Sequence, residues 1–337
     1  MSAGSTPQGL LVTAGKIHTP FKTELLNTIA ENRFTKRAPH LVGILATKKE
    51  DARSYAEFTK KACEQIGINF ELRLVGPARE GMDGDGVGIG VEEAILEAND
   101  DNDVDGIMDQ YLQSVVSAVK DVEGLNHQFL FNLYHNVRFI SPLTLKPLPA
   151  SQVTAASAVS KPGEEEAAPL GACKSILPCT PLAIVKVLEH IGVYNKLLAY
   201  GDRARGSEVV GRPLAALLAN DGARVLSVDI DSIVEFSKRP SASTSSKFNP
   251  HHVITPVSLT LDEALRVSDV VISAVPSKTY KVATSSLKDG CVCVNVAGDK
   301  NFEADVRERA SIYVPSVGVM TIAMLQRNLS ASHRTST

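Results

Sequence analysis

Residues 41–75 read LVGILATKKEDARSYAEFTKKACEQIGINFELRLV, and this stretch decides the fold. Leu41-Val42-Gly43-Ile44-Leu45-Ala46 is a near-continuous apolar run of strand length. A helix is predicted from Asp51 to Ile66, with Ala52, Tyr55, Ala62 and Ile66 on or near one stripe and Gly67 ending it. Phe70 to Val75 then alternates as a second strand, Val91 to Asn99 reads as a second helix, and Asp105-Gly106-Ile107-Met108 starts a third strand that stops early. Strand and helix in alternation predict an α/β domain with a parallel sheet.

Further along, residues 141–172 change character. Pro142-Leu143-Thr144-Leu145-Lys146-Pro147 leads into Ala/Ser/Pro-rich sequence and the run Glu164-Glu165-Glu166, with no periodicity. A disordered insertion is predicted there. Order returns at Leu177-Pro178-Cys179-Thr180-Pro181, where Thr180 is placed as an N-cap and Pro181 as the first helical residue. Ile184, Val185 and Leu188 carry that helix to Gly192. A second α/β region follows, with a helix over 213–219, strands over 223–228, 269–275 and 292–296, and a last apolar helix over 320–328.

Composition narrows the function classes. The chain of 337 residues has 35 basic and 38 acidic side chains, a net charge of −3, and 44% hydrophobic residues. That is apolar material for two packed cores, without the basic excess of a nucleic-acid or membrane-surface protein. No run approaches the ~20 apolar residues that cross a bilayer. The start, Met1-Ser2-Ala3-Gly4, lacks the charged region of a signal peptide, and the five cysteines show neither zinc spacing nor an even count. A cytoplasmic protein without metal is the expectation, with Cys291 and Cys293 as buried strand filler.

Three patterns are set aside. Asp101-Asn102-Asp103-Val104-Asp105-Gly106 opens like a calcium loop, but the twelfth position is Leu112 rather than glutamate. The glycines of residues 81–90 follow no strand. His251-His252 reads as an exposed pair in a polar stretch.

Chemistry concentrates elsewhere. Ser207-Glu208-Val209-Val210-Gly211-Arg212-Pro213 opens a helix, whose N–H groups can hold an anion. Asp229, eighteen residues beyond Gly211, ends a strand where an acid can accept both ribose hydroxyls of NAD and repel the 2′-phosphate of NADP. An ordinary helix cap and a surface aspartate explain these residues equally well. Tyr55 and Thr59 share a helix face, with Lys61 half a turn on, a pattern that alone means a packed aromatic and a solvated flank. Cys179 at a helix start could be a reactive thiol, although a buried structural cysteine is the commoner case.

Taken together, Lys120-Asp121-Val122-Glu123-Gly124-Leu125 and the segments 176–182, 207–221, 268–276 and 314–325 (VPSVGVMTIAML) resemble the methylenetetrahydrofolate dehydrogenases, many of which are also cyclohydrolases. The likeness is greatest to the monofunctional, cytoplasmic, NAD-dependent type of fungi. It implies two α/β domains with folate in the cleft: a folate domain over 1–180, a Rossmann-like NAD domain with a parallel sheet over 181–319, and a C-terminal helix over 320–337 packing back on the first. It implies catalytic roles at Tyr55, Cys179 and the position of Thr59, where cyclohydrolases carry lysine. A hydroxyl lacks the ammonium's charge and proton-transfer capacity, so a dehydrogenase without cyclohydrolase activity is expected. Tyr55, Lys61, Glu123, Pro315 and Gly318 are implied in folate binding, with Lys61 facing the acidic tail. Ser207, Gly211, Arg212, Asp229, Ala274, Val275, Pro276, Ala297 and Thr321 are implied around NAD. A homodimer of one-carbon metabolism is expected.

Two departures bear on this reading. Gly201-Asp202-Arg203-Ala204-Arg205-Gly206 does not read as a buried parallel strand, so the first strand of the dinucleotide fold is expected to be absent, with Leu197-Leu198-Ala199-Tyr200 a short substitute. After Met108 the family's aromatic and proline-containing loop gives way at once to Asp109-Gln110-Tyr111. These gaps admit two alternatives: a catalytically impaired member of the fold, or a misassembled or alternatively spliced message. A bifunctional dehydrogenase/cyclohydrolase is the third.

Overall fold

The computed structural model describes residues 8–30, 37–79, 90–109, 111–148, 168–193, 199–203, 209–229, 232–240 and 250–332. In chain order the elements are β1 (Leu10–Leu11), α1 (Ala14–Ala30), β2 (His40–Leu45), α2 (Glu50–Glu64), β3 (Asn69–Leu74), α3 (Val91–Asp100), β4 (Gly106–Asp109), α4 (His127–Tyr134), β5 (Phe139–Ile140), β6 (Cys173–Lys174), α5 (Cys179–His190), β7 (Ala199–Arg203), α6 (Gly211–Asn220), β8 (Arg224–Val228), β9 (Ile233–Lys238), β10 (His252–Pro256), α7 (Leu261–Val267), β11 (Val270–Ser273), β12 (Val292–Asn295), β13 (Ile312–Val314) and α8 (Gly318–Ser332). The described residues form two compact units. One draws on 20–133, 137–179 and 322–337, the other on 1–19, 134–136 and 180–321.

The first unit is built on a three-stranded parallel sheet, β3-β2-β4. In β2 the residues from Leu41 to Leu45 are all buried, which is why its apolar run does not alternate: a parallel strand covered on both faces needs apolar side chains on both. Ile44, Val91, Ile95, Ala98 and Ile107 form its core, and each large aliphatic side chain fully withdrawn from water contributes about 1.5–3 kcal/mol. Helix α2 buries Ala56, Thr59 and Cys63, so its inner stripe centres one position beyond Tyr55 and includes a polar residue. A two-stranded ladder, β5-β6, brackets residues 141–172. The first part of that segment is ordered, contrary to the predicted insertion. Leu145 N–H donates to the Ser141 carbonyl, and the Leu145 side chain packs with Phe129, Ile140 and Ile176. One buried leucine suffices to anchor a turn that periodicity cannot reveal; residues 149–167 lie outside the described residues.

The second unit carries an eight-stranded sheet in the order β1-β13-β12-β11-β7-β8-β9-β10. Pairings from β1 to β8 are parallel, and β8-β9 and β9-β10 are antiparallel. The strand expected to be missing is present. β7 lies between β11 and β8, pairing Tyr200 with Val270 and Val225, and Asp202 with Ile272 and Ser227. Its polar sequence misleads because the ladder is made by backbone N–H and C=O groups, which Gly201, Asp202 and Arg203 supply as well as valine does. From β7 the chain builds outward through β8 on one side, then returns to build through β11 on the other. The order therefore reverses beside β7, the position where open parallel sheets take ligands at the carboxyl ends of their strands.

Two smaller expectations also change. Helix α5 starts at Cys179, ahead of the Thr180 cap, because the Glu123 carbonyl takes the Cys179 N–H at 3.0 Å and satisfies the first turn without a capping side chain. His252 is buried rather than exposed, stacked on Phe236 at 5.3 Å, and burial with the Arg239 charge beside it pushes its pKa down to about 4. β9 and β10 were not legible as strands, since β9 buries only Phe236. Cys291 and Cys293 are both buried in the core beside β12, as read from the sequence. Among the described residues no helix is long and apolar enough to cross a membrane.

Candidate active site

The loop 120–126 organises the first unit. Lys120 Nζ donates to the carbonyls of Ala98, Asn99 and Asp101 at 2.9, 2.8 and 2.6 Å, closing the C-terminal end of α3. Asp121 is buried, and its carboxylate accepts the backbone N–H groups of Glu123, Gly124 and Asn126 at 2.9, 2.9 and 2.8 Å. Burial raises the Asp121 pKa while those three donors oppose the rise. Gly124 follows with φ of 72°, and a Cβ there would meet the Leu177 carbonyl at 2.6 Å. The turn thus lies directly against the chain entering α5, which brings Glu123 and Cys179 together.

The Glu123 carboxyl points at the end of β4, where its Oε2 accepts the Asp109 N–H at 2.8 Å. Burial, reinforced by the Asp121 charge, pushes its pKa up to about 8, so near neutrality the acid is largely protonated and can donate as well as accept. Tyr55 faces the same place. Burial raises its hydroxyl pKa strongly, with the Cys179 thiol and the Glu123 carboxyl acting in the same direction. Cys179 is itself buried. Tyr55, Ala52, Ala56, Ile44, Leu72, Met108 and Tyr111 line a small pocket. Beyond the early end of β4, Tyr111 and Leu112 donate their N–H groups to Asp109 Oδ2. That turn supplies an aromatic pocket wall directly after the strand.

Thr59 is fully buried, and its hydroxyl donates to the Tyr55 carbonyl at 2.8 Å. Its one proton is therefore committed to the helix backbone. Lys61 is exposed near the end of α2.

In the second unit, Gly211 is buried at the first residue of α6, Arg212 is exposed beside it, and Asp229 is exposed just past β8. Ser207 lies outside the described residues. Ala274 and Val275, half-buried, and Pro276, exposed, leave the carboxyl end of β11; Ala297, half-buried, follows β12. Pro315 follows β13, Gly318 opens α8, and Thr321 is buried in its first turn. Apart from Ser207, these residues lie in one unit, in or just after the elements that end at the carboxyl side of its parallel strands. Sequence reasoning missed Asp109 and Asp121 in the first unit and Asn295 and Asn301 in the second. A lone aspartate or asparagine at a strand end carries no periodic signal, although a polar residue closing an apolar strand is a usable hint.

A parallel sheet whose order reverses beside β7, with a buried glycine opening the helix after that strand and an exposed acid after the next, has the arrangement of dinucleotide-binding α/β folds. Comparison with known proteins narrows this. Residues 12–123 match the model of the tetrahydrofolate dehydrogenase/cyclohydrolase catalytic domain. The methylenetetrahydrofolate dehydrogenase [NAD(+)] of Saccharomyces cerevisiae is 43% identical over 95% of both chains. That of Schizosaccharomyces pombe is 44% identical over 87% of this chain and 84% of the relative. The solved structure of the NAD-dependent 5,10-methylenetetrahydrofolate dehydrogenase from Saccharomyces cerevisiae superposes with a TM-score of 0.78 at 40% identity, over 97% of this chain and 98% of that one. A Campylobacter jejuni FolD structure, TM-score 0.67 at 20% identity, shares the fold. The chain belongs to the methylenetetrahydrofolate dehydrogenase family.

Proposed function

We propose that this chain oxidises 5,10-methylenetetrahydrofolate to 5,10-methenyltetrahydrofolate with NAD as hydride acceptor, as a cytoplasmic homodimer. The observation that carries the reading is the 43% identity to an NAD-dependent dehydrogenase over 95% of both chains. The donor set fits the dinucleotide. A buried glycine at the start of α6 has no side chain to hold a phosphate away from the helix N–H groups, and an exposed carboxylate follows β8 for the ribose hydroxyls. Ser207, Arg212, Ala274, Val275, Pro276, Ala297 and Thr321 complete the proposed cofactor surface.

When bound, NAD supplies the acceptor ring. The hydride leaves the methylene carbon and no proton need move in that step, so the chain's work is positioning and electrostatics. Tyr55 and the wall of Ile44, Leu72 and Met108 would hold the ring system out of water. Glu123, protonated near neutrality but poised to ionise, can accept from the pterin's N–H groups and offset the cation formed. Cys179 stands beside both in the proposed catalytic group. Pro315 and Gly318 are further proposed folate contacts, and exposed Lys61 would meet an acidic, polyglutamylated tail. Cyclohydrolase activity is proposed to be absent, because Thr59 offers a hydroxyl already bonded to the Tyr55 carbonyl where hydrolysis needs a mobile ammonium.

The test is isotopic. With substrate deuterated at the methylene carbon, deuterium should appear in the reduced dinucleotide. Its release to solvent, or no turnover, overturns the reading.

A further inference from the structure

Two buried asparagines that no sequence motif singles out join the strand ends of the second unit. Asn301 is fully buried, and its side-chain amide pairs with both backbone groups of Val275: Oδ1 accepts the Val275 N–H at 3.0 Å and Nδ2 donates to the Val275 carbonyl at 2.9 Å. Oδ1 also accepts the Ser273 hydroxyl at 3.1 Å. The amide thus does for Val275 what a neighbouring strand would do, satisfying its N–H and C=O just where the chain leaves β11. Asn295, 1% exposed, works the same way at the end of β12. Its Nδ2 donates to the carbonyls of Ala297, Asp299 and Pro315 at 2.8, 3.1 and 3.3 Å, and its Oδ1 accepts the Asn301 N–H at 2.8 Å. Both amide orientations are fixed, because each Oδ1 faces a backbone N–H that can only donate.

One continuous chain of hydrogen bonds therefore runs from β11 through Asn301 and Asn295 to the residue following β13. It crosses three parallel strands at their carboxyl ends, beside the reversal at β7. The residues it holds directly, Val275, Ala297 and Pro315, are among those proposed above to meet NAD or folate. We infer that Asn301 and Asn295 are positioning residues that fix the loops after β11 and β12 as a surface for the dinucleotide, so that NAD affinity depends on two side chains that never touch NAD. The inference rests on the proposed function. Losing the paired hydrogen bonds of one buried amide is read as a loss of affinity of about tenfold, which corresponds to about 1.4 kcal/mol.

The test compares the wild type with Asn301→Ala, Asn301→Asp and Ser273→Ala, using NADH fluorescence titration and steady-state kinetics. Asn301→Ala should weaken NADH binding and raise the KM for NAD about tenfold or more, with the KM for folate changed less than twofold. Asn301→Asp keeps the acceptor contacts but sets a buried carboxylate oxygen against the Val275 carbonyl, and should weaken NADH binding at least as much as Asn301→Ala. Ser273→Ala removes one hydroxyl donor and should move NADH affinity least. Wild-type protein that fails to bind NADH would refute the function beneath the inference. Wild-type binding that Asn301→Ala leaves intact, or equal losses for NAD and folate, would refute the inference itself.

Discussion

Replacing Gly124 by alanine tests whether the turn at 121–126 sets the first unit's site. Gly124 has φ of 72°, a conformation that costs an L-residue with a Cβ about 1–2 kcal/mol. The added methyl would also sit 2.6 Å from the Leu177 carbonyl carbon and oxygen and 2.7 Å from Pro178 N. These are backbone atoms, so no rotamer change relieves the contact and one of the two chains must move. Overpacking of this kind typically costs about 1–3 kcal/mol. Together the two effects give about 2–5 kcal/mol. The movement has a functional side as well: the displaced chain leads into Cys179, whose N–H is held by the Glu123 carbonyl at 3.0 Å. Gly192→Ala is the control, because Gly192 has φ of 76° and nothing within 4 Å of an added Cβ. It should lose only the conformational part, about 1–2 kcal/mol, with unchanged kinetics. Urea denaturation and the folate KM are the assays. A Gly124→Ala loss no greater than that of Gly192→Ala, with folate KM unaltered, would refute the reasoning.

Other consequences are equally direct. Glu123 has its folded pKa raised from 4.5 to about 8, so its contribution to stability is full below pH 4.5 and is lost as pH rises through 8. Glu123→Gln should remove that part of the pH dependence, gaining on the wild type between pH 5 and 9. Parallel stability curves for the two proteins would count against it. Asp229→Ser should lower the preference for NAD over NADP by about tenfold or more, having removed a carboxylate that repels a phosphate. An unchanged ratio of kcat/KM values would contradict the placement of the ribose. Gly9 packs so closely within the second unit that an added Cβ would lie 1.8 Å from the Ala310 carbonyl oxygen. Gly9→Ala should therefore free β1 from β13, read as faster proteolytic cleavage near Leu10–Leu11, and no change in cleavage would refute that contact.

How far the sequence reveals this molecule depends on which atoms carry the information. The buried strands β2, β8, β11 and β12 are legible because most of their side chains are buried and apolar, as in Leu41 to Leu45. β7 is illegible for the converse reason: Gly201, Asp202 and Arg203 join the sheet through backbone groups that every residue shares. The sequence shows helix α2 but misplaces its inner stripe, because a threonine, not an apolar residue, fills one of its two fully buried positions. In the candidate site, Tyr55, Glu123 and Cys179 could be named only as a set matching a family, since their convergence depends on Gly124 lying against Leu177. Asn295 and Asn301 could not be named at all. Each looks like an ordinary polar residue until its amide is seen satisfying backbone groups, those of Val275 for Asn301 and those of Ala297, Asp299, Asn301 and Pro315 for Asn295.

The central claim is most directly tested by incubating the purified full chain with 5,10-methylenetetrahydrofolate and either NAD or NADP, following reduced dinucleotide and methenyltetrahydrofolate together. The account predicts NADH and methenyltetrahydrofolate in equal amounts, with slower reduction of NADP and methenyl product that persists at its spontaneous rate of hydrolysis. Failure to reduce NAD, a preference for NADP, or enzyme-dependent loss of the methenyl product would contradict it.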